Sequence, residues 1–212
     1  AGSRSQRRHR VLIATVMNDT IETFQAELLT CTKCALAATR HHVILGEGPY
    51  NAPIFIIGEA PGYEEDLHGR PFIGPSGQLL DKMLDACGFN RQEHVFISNI
   101  VRCRPPGNRP PTPQEAAICL PWLQTQIELV NPKILILLGS TALRYMAGPG
   151  YRISQTRGTW RTCQNRLTML IYHPSALLRN PALKRLTWED LKSIVYTYRQ
   201  LVNPSHTSAY IP

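Results

Sequence analysis

Glutamate, carboxamide and histidine side chains do chemistry when they meet in one crevice, and this sequence sets one of each at the end of an apolar run. Glu59 follows Ile54-Phe55-Ile56-Ile57-Gly58, Asn99 closes Val95-Phe96-Ile97-Ser98, and His173 follows the run from Leu167 to Tyr172. A carboxylate can orient a water, a carboxamide offers a donor beside an acceptor, and an imidazole can donate or accept near neutral pH. Taken alone, Gly58-Glu59-Ala60-Pro61-Gly62 reads equally as a turn, because Gly and Pro fix the backbone after many strands. The second reactive set is the six cysteines at 31, 34, 87, 103, 119 and 163. The basic start Arg4, Arg7, Arg8, Arg10 leads only into the short apolar stretch Val11 to Val16, which reads as an unexported chain. A disulfide framework is therefore not expected, and the Cys31-x-x-Cys34 spacing points to metal ligation.

These residues need elements to bring them together. Near-continuous apolar runs predict buried strands at about Ile54-Ile57, Val95-Ile100, Ile134-Leu138 and Leu167-Tyr172. Between them, helical patterning is expected near Thr20-Leu29, Gly77-Ala86, Pro113-Leu129, Thr141-Met146 and Pro181-Leu201. Pro113 suits a first helical turn and Thr112 can cap it. The alternation predicts an α/β fold, a three-layer α/β/α sandwich with a central four-stranded parallel sheet. In such sheets ligands bind beyond the carboxyl ends of the strands, where Glu59, Asn99, Gly139-Ser140 and His173 would converge.

At 212 residues and 43% hydrophobic, the chain suits one domain, expected over residues 20–202. Residues 1–19 read as a basic extension beginning with an expression remnant, Ala1-Gly2-Ser3, and residues 203–212 as a polar, disordered tail. The formal charge of +8 favours a polyanionic partner, nucleic acid ahead of acidic membranes. No apolar run approaches the ~20 residues that span a bilayer. The expectation is a cytoplasmic, prokaryotic-type monomer with no membrane partner.

Several segments together resemble the iron-sulfur (family 4) uracil-DNA glycosylases. They are Gly58-Glu59-Ala60-Pro61-Gly62 with Glu64-Glu65-Asp66, Gly69-Arg70-Pro71-Phe72-Ile73-Gly74 with Gly77-Gln78-Leu79-Leu80, Asn99 to Arg109, Pro132-Lys133 with Leu138-Gly139, and His173 to Pro181. The match runs from about Cys31 to Leu191, with Tyr151-Arg166 outside it. The resemblance implies an enzyme that flips uracil out of single- or double-stranded DNA and hydrolyses the base-sugar bond, leaving an abasic site with no lyase step. It implies that Phe72 stacks on the extruded ring, that Asn99 pairs with the uracil edge, and that Glu65 crowds C5 against a methyl. The resemblance places Gly58 in the same uracil pocket. His173 would hydrogen-bond the oxygen on which charge grows as the bond breaks, and Glu59, or Asn99, would orient the water. Leu177 and Leu178 are candidate wedges for the vacated stack, one of them equally suited to the core. Ser175, Arg179, Lys184 and Arg185 would approach phosphates, as would the loop carrying Arg102, Arg104 and Arg109.

By the same resemblance Cys31, Cys34, Cys103 and Cys119 hold a structural [4Fe-4S] cluster. Four thiolates also suit zinc, but Cys103 and Cys119 stand sixteen positions apart, unlike the tight pairs of structural zinc sites. Core packing suffices for Cys87 and Cys163. Two rivals remain: a DNA-trapping relative of the family with a nucleophilic histidine on an inserted basic loop, and a metal-stapled binding module without catalysis. No histidine occurs between Val95 and Ile118, which disfavours the first. A nucleotide-binding Rossmann enzyme is weaker, since no Gly-x-Gly-x-x-Gly follows the first strand.

Overall fold

A computed structural model describes residues 4–212, with side chains from Met17 onward. The proposed remnant Ala1-Gly2-Ser3 and the side chains of the basic start lie outside the described residues. Each apolar run forms a strand: β1 (Ile54–Gly58), β2 (Val95–Asn99), β3 (Ile134–Leu138) and β5 (Arg166–Ile171), all mutually parallel. Branched and aromatic side chains fill both faces, and β1, β2 and β3 are buried throughout. The sheet has five strands, not four, in the order β2-β1-β3-β5-β4. The added edge strand β4 (Trp160–Cys163) pairs antiparallel with β5. Its Arg161 and Thr162 are exposed, so no apolar run announces it, and the intervening Gln164 and Asn165 take φ of 48° and 58°, the backbone of a tight hairpin turn.

Alternation along the strands divides the core into two layers. Phe55, Ile57, Leu135 and Leu137 face α1 (Arg4–Leu29), α4 (Pro113–Val130) and α5 (Gly139–Ala147). Ile54, Ile56, Ile134 and Ile136 face α3 (Pro75–Ala86) and α8 (Leu183–Leu201). Three short helices complete the fold: α2 (Tyr63–His68), α6 (Ile153–Thr156) and α7 (Pro174–Arg179), the last directly after His173. At α4, Thr112 Oγ1 accepts from the Glu115 N–H at 3.2 Å, and Glu115 Oε2 accepts from the Thr112 N–H at 2.8 Å.

Two boundaries differ from expectation. The first helix begins at Arg4, inside the stretch set apart as an extension, rather than at Thr20. The tail is packed, not detached: Ile211 is 1% exposed, and His206 stacks on Phe89 with ring centroids 4.7 Å apart. Arg199 donates to the carbonyls of His206 and Ile211, each at 2.9 Å. Composition marks this segment as polar, yet its few apolar and ring side chains are the ones that anchor it.

Candidate active site

The carboxyl ends of β1, β2, β3 and β5 open onto one cleft of about 650 Å³, and Glu59, Asn99, Ser140 and His173 all line it. Glu65 and Phe72 stand in the same wall. Residues more than a hundred positions apart thus meet as the parallel topology requires.

His173 caps the N-terminus of α7. Its Nδ1 accepts from the Ser175 backbone N–H at 3.1 Å and lies 2.9 Å from Ser175 Oγ. A backbone N–H can only donate, so Nδ1 carries no proton, and the neutral ring must hold its proton on Nε2. Burial pushes the imidazole down to about 4, with the Arg179 charge acting the same way and Glu65 opposing. At neutral pH the site therefore contains a neutral histidine whose free nitrogen is a donor.

Phe72 lies beside it, ring centroids 5.7 Å apart. Its φ of 52° is in the left-handed region, which a bulky residue rarely adopts. The buried Arg91 holds that conformation, donating to the Pro71 carbonyl at 2.8 Å and to the Phe72 carbonyl, while Asp81 takes its Nε at 2.7 Å. Two glycines let the ring sit there. A Cβ on Gly77 would stand 1.8 Å from the Phe72 carbonyl oxygen, and one on Gly58 would meet Asn99 Oδ1 at 2.4 Å and Phe72 Cζ at 2.5 Å. Gly58 thus serves as the floor on which ring and amide approach.

The Glu65 carboxylate is fully engaged. It accepts from the N–H groups of Gly62 at 3.0 Å and of Ile73 and Gly74 at 2.9 Å, locking the start of α2 to the Phe72 loop. Its position in the cleft wall is thereby rigid. Glu59 Oε2 accepts from the Thr141 hydroxyl, and Asn99 Oδ1 is buried with no donor. Arg91, Asp81 and Thr141 escaped the sequence reading. Thr141 follows Gly139-Ser140 at a strand end, which was a usable signal; Arg91 sits in the polar run Asn90-Arg91-Gln92-Glu93 and carried none.

A family model described as the uracil DNA glycosylase superfamily matches residues 45–192. A type-4 uracil-DNA glycosylase of Sulfurisphaera tokodaii is 38% identical over 184 residues, 83% of this chain and 84% of that protein. Similar proteins under the same name come from Thermotoga maritima, 43% identical over 76% of this chain and 86% of that protein, and Archaeoglobus fulgidus, 36% identical over 83% and 92%. The chain belongs to the type-4 uracil-DNA glycosylases.

In this member of the family, the residues expected to approach DNA divide by side-chain direction. Leu178 is 47% exposed on α7, whereas Leu177 is 2% exposed and packed in the core, so Leu177 is no wedge. Consecutive helical positions differ by about 100° around the axis, which separates the two. Arg179, Lys184 and Arg185 are exposed beside the cleft. Arg104 donates to Asn108 Oδ1 at 2.6 Å and lies over the Tyr63 ring. Arg109 lines the cleft but is clamped by Glu115 through two bonds of 2.8 and 2.7 Å, so its charge is already met. Arg102, expected on the same phosphate-facing loop, is 1% exposed and points into the protein.

Cys31, Cys34, Cys103 and Cys119 line one small cavity between the end of α1, the loop after β2 and α4. Among the described residues no three His, Cys, Asp or Glu side chains are already grouped for a metal ion. The donor chemistry nonetheless fits an anionic tetrathiolate centre: Arg40 Nη1 lies 3.3 Å from Cys103 Sγ, and Lys33 and Arg102 line the same cavity. Burial pushes the free Cys103 thiol up to about 11, a cost that ligation would remove. Cys87 and Cys163 lie apart and buried, Cys163 against the Met146 carbonyl. Among the described residues no helix is long and apolar enough to cross a membrane.

Proposed function

We propose that this protein extrudes uracil from DNA into the cleft and hydrolyses its N-glycosidic bond, leaving an abasic site. The observation that carries this reading is the tautomer of His173, whose Nδ1 is occupied by the Ser175 N–H. A neutral Nε2–H donor is suited to an oxygen on which negative charge develops. Phe72 offers its face to the extruded ring. The unpaired Asn99 Oδ1 would accept uracil N3–H while its amide donates to O4; cytosine presents the opposite pattern at both atoms. The immobilised Glu65 would form the wall against C5, so that a thymine methyl meets a carboxylate unable to yield. Glu59, steered by Thr141, would orient the attacking water.

The expected course is attack by water without a Schiff base, and hence no lyase step. Exposed Leu178 would fill the vacated stack, with Arg179, Lys184, Arg185, Arg104 and Ser175 on the backbone of single- or double-stranded DNA. Cys31, Cys34, Cys103 and Cys119 would hold a [4Fe-4S] cluster. When bound, it supplies a cross-link between three segments rather than electron transfer, because glycosidic hydrolysis moves no electrons. Iron and zinc analysis separates it from a zinc site.

The test is incubation with uracil-containing DNA, followed by hot alkali and strand-length analysis, with wild type against His173→Ala. Cleavage by wild type, slowed on the order of 10²–10³-fold in the variant, is expected. Bound but uncleaved DNA would identify a binding module, and a heat-stable adduct the trapping relative.

A further inference from the structure

Arg102 is the largest fully buried side chain of the described residues. Guanidinium stays protonated in proteins, and a buried charge is tolerated only when paired. Yet Arg102 takes part in none of the ion pairs among the described residues. Its Nη2 donates to Gln126 Oε1 at 2.7 Å, a neutral acceptor itself held by the Leu45 carbonyl at 2.6 Å. Nε and Nη1 have no acceptor at all. The side chain lines the cavity formed by Cys31, Cys34, Cys103 and Cys119.

From this geometry we infer that Arg102 is the buried counter-cation of the four-thiolate centre, its unpaired N–H groups neutralising and hydrogen-bonding the anionic cluster. The inference rests on the cluster reading. Four thiolates around a [4Fe-4S] core leave a net negative charge in a dry site, and hydrogen bonds and nearby charge set both the retention and the potential of such a centre. Arg40 also reaches Cys103, 3.3 Å from the sulfur, but it is only half-buried. The inference explains why an arginine placed two residues from Arg104 turns inward, although both belong to a loop rich in positive charge.

Three variants of the holoprotein separate charge from shape. Arg102→Met removes the charge, Arg102→Lys keeps it, and Gln126→Met keeps the charge while removing the Gln126 bonds to Arg102 and to the Leu45 carbonyl. Midpoint potential by spectroelectrochemistry and the rate of iron loss to a chelator are read on each. The expected result is a more negative potential and at least tenfold faster iron loss for Arg102→Met, with Arg102→Lys and Gln126→Met close to wild type. An unchanged Arg102→Met, or Gln126→Met matching it, overturns the counter-cation role. Should Arg102→Met not accumulate in soluble form, Arg102→Gln, which also lacks the charge, is read in its place: a more negative potential supports the role and a near-native one overturns it. Iron and sulfide content of the wild type reports separately on the cluster, so a zinc-loaded or metal-free wild type would sink that reading by itself.

Discussion

The chemistry at His173 is decided by two atoms of Ser175. Because Nδ1 accepts the Ser175 N–H, the ring keeps one tautomer, and burial keeps it neutral well below the ordinary histidine range. The expected outcome is a ¹⁵N spectrum showing the Nε2–H form at pH 6, with a midpoint near the value of about 4. A midpoint close to 6.5 would leave the ring mostly protonated at pH 6 and overturn the depressed value. The linkage sign follows: between 6.5 and about 4 the unfolded chain binds a proton that the folded ring refuses, so His173 lowers stability as the pH falls through that window. Arg91 acts one step away. It grips the Phe72 backbone in its left-handed conformation, so Arg91→Gln should raise KM for uracil-DNA about tenfold, with kcat altered less, in steady-state kinetics. A fall in kcat at unchanged KM would show that Phe72 does not depend on it.

At the scale of elements, the capping of α4 ties the Arg109 loop to the start of that helix. The Arg109 guanidinium, chiefly, and the Thr112 N–H hold the Glu115 carboxyl down at about 2, against the ordinary 4.5, with burial opposing. The folded value is depressed, so this contribution is present above pH 4.5 and is lost as the pH falls toward 2. Urea unfolding at pH 7, 4.5 and 3 should show wild type losing more of its stability over the acid steps than Glu115→Gln does. Equal losses would mean that the cap carries no linkage. The start of α1 at Arg4 and the edge strand β4 were not visible in the same way: neither presents the apolar periodicity that marks an element.

For the whole molecule, the surplus of positive charge and the exposed Arg179, Lys184 and Arg185 place an electrostatic face beside the cleft. Arg179→Ala should weaken binding to uracil-containing and uracil-free DNA alike and reduce the slope of log K against log salt by about 0.9. An unchanged slope in fluorescence titrations would remove Arg179 from the phosphate contacts. The packed tail belongs to this scale too, since Arg199, Phe89 and the Ala86–Cys87 carbonyls bind it from three directions.

The sequence by itself determined the positions of β1, β2, β3 and β5, because each is a continuous apolar run, and with them the convergence of Glu59, Asn99 and His173 at one edge. It also carried the signature segments that mark the family. Tertiary structure alone decided the direction of neighbouring side chains. Arg102 turns inward and Arg104 outward, Leu177 enters the core and Leu178 does not, and Arg91 reaches back to a loop twenty residues away. Periodicity is a local property of the chain, whereas burial of a given side chain depends on what distant segments place beside it. For Arg102 that neighbour is a cavity lined by four cysteines, drawn together from three separate stretches of the sequence.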